Sequence, residues 1–239
     1  MDMRARLNKA AEFDPATTAV LAIDTHRGHL DPEVATMPVT AKTAASVVGA
    51  SERLLAAVRA HGIPTIYLVM HNRELGGQSE NLRNPFWRTV EGVREQLTPE
   101  LASTIKGHNL TGSVGREIMP TMAPVDGDYV VDSKHRLSSF LDTDLDSTLR
   151  VLGTETLLLI GINTNTCVMC AAFEAFNRDY GVVVVSDCVD SMYGDDLHEF
   201  GLENVARCIG WVMDADEVST KLAAGREAQA APVSEPAAV

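Results

Sequence analysis

The chain has 239 residues, 45% of them hydrophobic and 22% charged, with a formal net charge of −13. That length suits one sizeable domain with short flanking segments, and the charge argues against nucleic acid or an anionic membrane surface as a partner. The opening MDMRARLNKAAEFDP has no apolar stretch, no run reaches the length of a membrane span, and the four cysteines all fall in the last third, so a cytoplasmic, reducing setting without disulfides is expected.

Residues 1–15 read as a polar arm. Residues 17–23, TTAVLAI, read as a buried strand ending at Asp24, and 25–40 as a loop. A helix is predicted over 41–61, where Val47, Val48, Leu54, Leu55 and Val58 recur at helical spacing and Gly62 follows as a cap. Residues 64–70, PTIYLVM, are a second strand. Residues 71–125 are broken by Gly76-Gly77, by Asn84-Pro85-Phe86-Trp87 and by later glycines. A short helix is predicted over 98–105 within them. A segment this long between strands suits a lid, a binding loop or a subunit contact.

DYVVD at 128–132 is the third strand, followed by Lys134 and His135. A helix over 144–152 leads to the apolar strand 156–160, a polar turn at 163–166 and a helix over 167–180. A strand at 182–186, a helix over 196–209, a short strand at 211–213 and a helix over 216–224 follow. Residues 225–239 read as a disordered tail. Alternation of strands and helices predicts an α/β fold: a three-layer, doubly wound, mostly parallel β-sheet flanked by helices, forming one domain over 16–224.

In such sheets the chemistry gathers beyond the carboxyl ends of the strands. Asp24, Lys134 and Cys167 all follow strands, so all three face one rim. A free thiol has a pKa of about 8.5, and both a helix N-terminus and a neighbouring ammonium favour its thiolate. Cys167 is then a candidate nucleophile, Asp24 a candidate general base and acid, and Lys134 a cationic support. Backbone N–H groups around Asn163 and Cys167 are candidates for an oxyanion hole. Each residue alone has an ordinary structural explanation; the three together on one rim carry the argument.

These residues resemble the isochorismatase-like cysteine hydrolases, the superfamily of nicotinamidases, N-carbamoylsarcosine amidases, maleamate amidases and biuret or ureide hydrolases. The resemblance rests on AVLAID at 19–24, VVDSKHRLSSF at 130–140, GINTNTCV at 161–168 and YGVVVVSDCVDS at 180–191, and runs from about residue 17 to about residue 218. It implies an Asp24–Lys134–Cys167 triad that hydrolyses a small carboxamide or N-carbamoyl compound through a thioester-type intermediate, releasing ammonia. It also implies a cis peptide before Asn163, no cofactor, and a homodimer or homotetramer.

The sequence departs from the family pattern at Asn163, where Thr is common, and at His26, where Gln is common. The nicotinamidase Asp-x-His is missing from 71–74, so no metal is expected; His26, His29 and His71 are the minor alternative set. For the substrate, Arg27, Arg73 and Arg83 are candidate carboxylate clamps. His26, His71, Glu74, Asn163 and Asn165 are candidate readers of a neutral ureide, and Phe86 and Trp87 are candidate caps on the pocket. Two competing readings are a non-catalytic member that binds a metabolite or protein partner, and a thiol redox protein using Cys167 and Cys170.

Overall fold

The computed structural model describes residues 3–97 and 104–230. Its centre is a six-stranded sheet of order β5-β2-β1-β6-β7-β8, with every neighbouring pair parallel. The strands are β1 (Thr18–Ile23), β2 (Thr65–Met70), β5 (Tyr129–Lys134), β6 (Thr156–Ile162), β7 (Gly181–Asp190) and β8 (Trp211–Met213), and a small antiparallel hairpin joins β3 (Glu74–Leu75) to β4 (Gln78–Ser79). The helices are α1 (Met3–Ala10), α2 (Arg27–Leu30), α3 (Ala41–Ala60), α4 (Pro85–Leu97), α5 (Leu145–Val151), α6 (Met169–Phe176), α7 (Asp195–Cys208) and α8 (Ala215–Ala230).

β1 and β2 are buried along their whole length because helices cover both faces, which is why they read as unbroken apolar runs. Alternate residues divide between two cores. Leu21, Ile23, Leu157 and Leu159 pack with Leu149, Ala172 and Val205 of α5, α6 and α7. Val20, Ala22, Leu158 and Ile160 pack with Leu54, Leu55 and Val58 of α3 and with Val218 and Leu222 of α8. The doubly wound α/β architecture follows from this pleat.

From β1 the chain winds outward through β2 to β5 on one side. It then returns to β6 on the other side of β1 and continues to β7 and β8. The winding direction reverses between β1 and β6, so a crevice opens beyond their carboxyl ends. Gly161 tightens that junction. Its φ is +118°, and a Cβ there would lie 1.8 Å from the Ile23 carbonyl oxygen, so only glycine lets β6 approach the end of β1 this closely.

Three expectations need correction. The polar arm contains α1, which docks on β8 through Asn8 Nδ2 and Arg4 Nε, both donating to the Val212 carbonyl at 2.9 and 3.1 Å. The 71–125 stretch contains the β3–β4 hairpin and the thirteen-residue α4, which starts at Pro85. The predicted tail is helical as far as Ala230; α8 passes through Gly225, where a Cβ would lie 2.1 Å from the Phe13 carbonyl oxygen. Most of the predicted 98–105 helix lies outside the described residues, as does 231–239; Thr104 and Ile105 are not helical. Among the described residues no helix is long and apolar enough to cross a membrane.

Candidate active site

Asp24 leaves β1 with φ +52°, a left-handed conformation uncommon for a residue with a side chain. Lys134 is the last residue of β5, two strands away. A register shift between Leu68 and Met70 on β2 places Lys134 opposite Met70, with one extra residue on the β5 side. Such a bulge re-aims the side chains beyond it. The Lys134 ammonium crosses β2 and donates to Asp24 Oδ2 at 2.8 Å and to the Arg136 carbonyl at 2.7 Å. It lies 3.2 Å from Met70 Sδ and 3.6 Å from Cys167 Sγ.

Cys167 does not begin an α-helix as expected. It sits in a π-helical turn over Thr164–Val168 that leads into α6, with the Val168 N–H reaching back to the Asn163 carbonyl at 3.2 Å. The peptide between Ile162 and Asn163 is cis. Thr164 Oγ1 pairs with His198 Nδ1 at 2.8 Å, and Asn165 Oδ1 accepts from Ser191 Oγ at 2.7 Å. The turn that carries Cys167 is therefore pinned to α7 and to the end of β7.

Asp24, Lys134 and Cys167 are all buried. Burial alone works against the Lys134 charge, but Asp24 and then Cys167 outweigh it and raise its pKa. The thiol behaves differently from the sequence-based expectation of a supported thiolate. Burial and the Asp24 charge push its pKa up to about 12, outweighing Lys134. The resting group is a neutral thiol beside a carboxylate whose Oδ1 has no hydrogen-bond partner in the protein.

A cavity opens above this cluster, with Asp24 and Cys167 in its floor and His29, Met37 and His108 along one side. Met70, Trp87, Arg136, Leu137, Asn163, Thr166 and Tyr193 complete it. Its volume is about 40 Å³. A ligand of few heavy atoms fits. The His29 and His108 rings lie 4.5 Å apart, and burial lowers the pKa of both. His29 Nδ1 donates to the Met37 carbonyl at 2.8 Å, which leaves its Nε2 as an acceptor.

Of the predicted substrate-binding residues, Asn163 and Trp87 line this cavity. Asn163 Oδ1 accepts the Met192 N–H at 2.9 Å. The others do not line it. His26 is fully buried behind the site, its Nε2 accepting the Met70 N–H at 3.1 Å, and burial drives its pKa down to about 3. It bridges elements as a neutral ring. Arg27 is held by Asp31 and Glu117 at 2.8 and 3.0 Å. Arg73 is held by Glu80, and Arg83 is exposed elsewhere. His71 packs on His135, Glu74 is exposed on the hairpin, Phe86 is 70% exposed, and Asn165 serves the turn. His26, His29 and His71 form no metal set; among the described residues no three His, Cys, Asp or Glu side chains could hold an ion. Cys167 and Cys170 are both free thiols.

Sequence reasoning missed Arg136, His108 and Tyr193 and offered His29 only as part of the minor metal alternative. Arg136 had a signal, lying two residues after Lys134 on the same strand end. His108 comes from a loop far along the chain and had none, and nothing in the sequence brings it beside His29 of α2.

The isochorismatase domain profile matches residues 18–217. The ureidoacrylate amidohydrolase of Methylobacterium radiotolerans is 30% identical over 213 residues, covering 84% of this chain and 78% of that protein. The corresponding protein of Stutzerimonas stutzeri is 31% identical, covering 81% and 73%. Among solved structures, a cysteine hydrolase from Pseudomonas syringae superposes with a TM-score of 0.69 at 25% identity over 90% of this chain and 96% of the other. N-carbamoylsarcosine amidase from Thermoplasma acidophilum shares the fold, with a TM-score of 0.61 at 24% identity over 84% and 97%. The six-stranded parallel sheet, the crevice between β1 and β6 and the extent of these matches agree: the chain belongs to the isochorismatase family, within the isochorismatase-like hydrolase superfamily.

Proposed function

We propose that the chain is a cysteine-dependent amidohydrolase that cleaves a C–N bond of a small N-carbamoyl compound and releases ammonia. The observation that carries this reading is the buried Asp24–Lys134–Cys167 cluster in the floor of a small cavity. The amidohydrolase relatives support it, and their named substrate, a ureidoacrylate, is the N-carbamoyl type.

The chemistry starts from the neutral thiol. Oδ1 of Asp24 takes the Cys167 proton as Sγ attacks the carbamoyl carbon, so charge separation is confined to the moment of attack. Lys134 keeps a positive charge against Asp24 and the forming thiolate. The Cys167 N–H receives the developing oxyanion. Protonated Asp24 returns its proton to the leaving nitrogen, and ammonia departs. A thiocarbamate then links the substrate to Cys167. Water, deprotonated by Asp24, attacks that carbon, and the thiol leaves with the proton. The product carbamic acid loses carbon dioxide to give an amine.

Exposed apolar side chains, Leu141, Phe176 and Phe200 among them, suit a homo-oligomer. The reaction is tested by an ammonia-release screen over ureidoacrylate, biuret, triuret, N-carbamoylsarcosine, maleamate and nicotinamide, with Cys167→Ala alongside. Release from a ureide by the native protein and none by the variant is expected. Silence on every compound would instead favour a binding protein.

A further inference from the structure

The cavity carries an uncompensated positive charge although the chain's net charge is −13. Asp24 and Lys134 neutralise each other. The Cys167 and Tyr193 pKa values are raised by burial and those of His29 and His108 are lowered by it, so these four are neutral at pH 7. What remains among the described lining residues is the Arg136 guanidinium.

Arg136 differs from Arg27 and Arg73. Each of those spends its fork on carboxylates. Among the described residues Arg136 has no carboxylate within ion-pair distance. Glu80, its near neighbour, gives both carboxylate oxygens to Arg73, at 2.8 and 2.9 Å, and offers Arg136 only a backbone carbonyl, to Nη2 at 2.6 Å. The guanidinium is half-buried and lies 5.1 Å from the centroid of the Trp87 ring. Its own carbonyl accepts from Lys134, and its φ is +59°. The backbone that seats the Lys134 ammonium thus also sets where this second cation stands. A guanidinium stacked on an indole, with N–H groups left over and no counter-ion, is built to receive a planar anion bidentately.

We propose that Arg136, braced on Trp87, determines specificity by binding a carboxylate on the substrate, at the end away from the scissile carbonyl. The substrate class is then an N-carbamoyl amino acid or ureido acid rather than a neutral ureide such as biuret. This rests on the amidohydrolase reading for the identity of the scissile group, but the anion site stands independently of it.

Two measurements test it. The first needs no turnover. With Trp211→Phe, Trp87 is the sole tryptophan, and its fluorescence is followed during titration with propionate, using 1-propanol as the neutral control. Propionate is expected to shift the signal saturably, 1-propanol is not, and Arg136→Met should weaken propionate binding by about 10- to 100-fold. The second compares 3-ureidopropionate with its methyl ester in the ammonia assay. Arg136→Met should raise KM for the acid by a similar factor with kcat little changed, leave the ester nearly unaffected, and Arg136→Lys should recover part of the loss. Propionate binding that ignores Arg136, or equal losses on acid and ester, would overturn the proposal and leave Arg136 a packing residue. Arg136-dependent propionate binding without ammonia release from any ureide would sustain the anion site and remove the amidohydrolase reading.

Discussion

Lys134 donates to Asp24 across 2.8 Å with neither side chain reaching solvent. Removing one member of a buried ion pair leaves the other charge uncompensated, at a cost of roughly 3–5 kcal/mol. Asp24→Ala should therefore lose both ammonia release and about that much stability in urea unfolding. Asp24→Asn with Lys134→Met should recover much of the stability and none of the activity. If the double variant is no more stable than Asp24→Ala, the energetic reading of the pair is wrong.

The raised pKa of Cys167 has a chemical signature. At pH 7.5 iodoacetamide should alkylate exposed Cys208 well before Cys167 or buried Cys188, whose thiols burial holds in the neutral form. Peptide mass spectrometry over a time course reads the order. Fast alkylation of Cys167 would mean a preformed thiolate.

Three buried histidines set a pH window. His26, His29 and His108 all have depressed folded pKa values, chiefly through burial. Below the ordinary histidine value of about 6.5 the unfolded chain binds protons that the folded chain refuses. Their contribution is fully present above that pH and is lost as pH falls toward the folded values, which for His26 is about 3. Each strongly shifted histidine adds a slope of up to about 1.4 kcal/mol per pH unit. Urea unfolding at pH 7.5 and 5.5 should show a clear loss at the lower pH. His26→Gln should have a smaller loss between the two.

Gly161 should tolerate no side chain. Alanine there meets the Ile23 carbonyl and an unfavourable φ together, so Gly161→Ala should cost more than about 3 kcal/mol. Gly92 of α4, where a Cβ meets nothing within 4 Å, is the control; alanine there should be neutral or mildly stabilising. A thermal shift comparison separates them.

The parts of the site legible from sequence were those that end strands. Asp24, Lys134 and Cys167 each follow an apolar run, and parallel strands place such residues on one rim whatever the helices do. The rest depended on pairings that spacing does not reveal. Arg27 resembled a free clamp because nothing in its neighbourhood says that Glu117, ninety positions on, will neutralise it. Arg136 went unnoticed because its isolation is visible only once Glu80 is seen committed to Arg73.

The helices missed have similar causes. Pro85 reads as a breaker, yet it occupies the first turn of α4, where the missing N–H costs nothing and Asn84 Oδ1 caps the Phe86 N–H at 2.9 Å. α1 has no apolar stripe to betray it, since polar contacts from Arg4 and Asn8 to the Val212 carbonyl hold it. Gly225 reads as the end of α8, whereas its bare Cα is what lets the helix pass Phe13.

The strand that carries Lys134 lies at the margin of the sheet, with Tyr129 and Val130 substantially open to solvent, while Asp24 and Cys167 hang from the two innermost strands. Margins of a sheet open locally at lower free energy than its centre. Amide protons of β5 should accordingly exchange with deuterium sooner than those of β1 and β6. Each such opening withdraws the ammonium while the thiol and carboxylate stay in place. Warming should therefore extinguish turnover reversibly at temperatures where the core is still fully folded, making the outermost strand the thermal fuse of the enzyme.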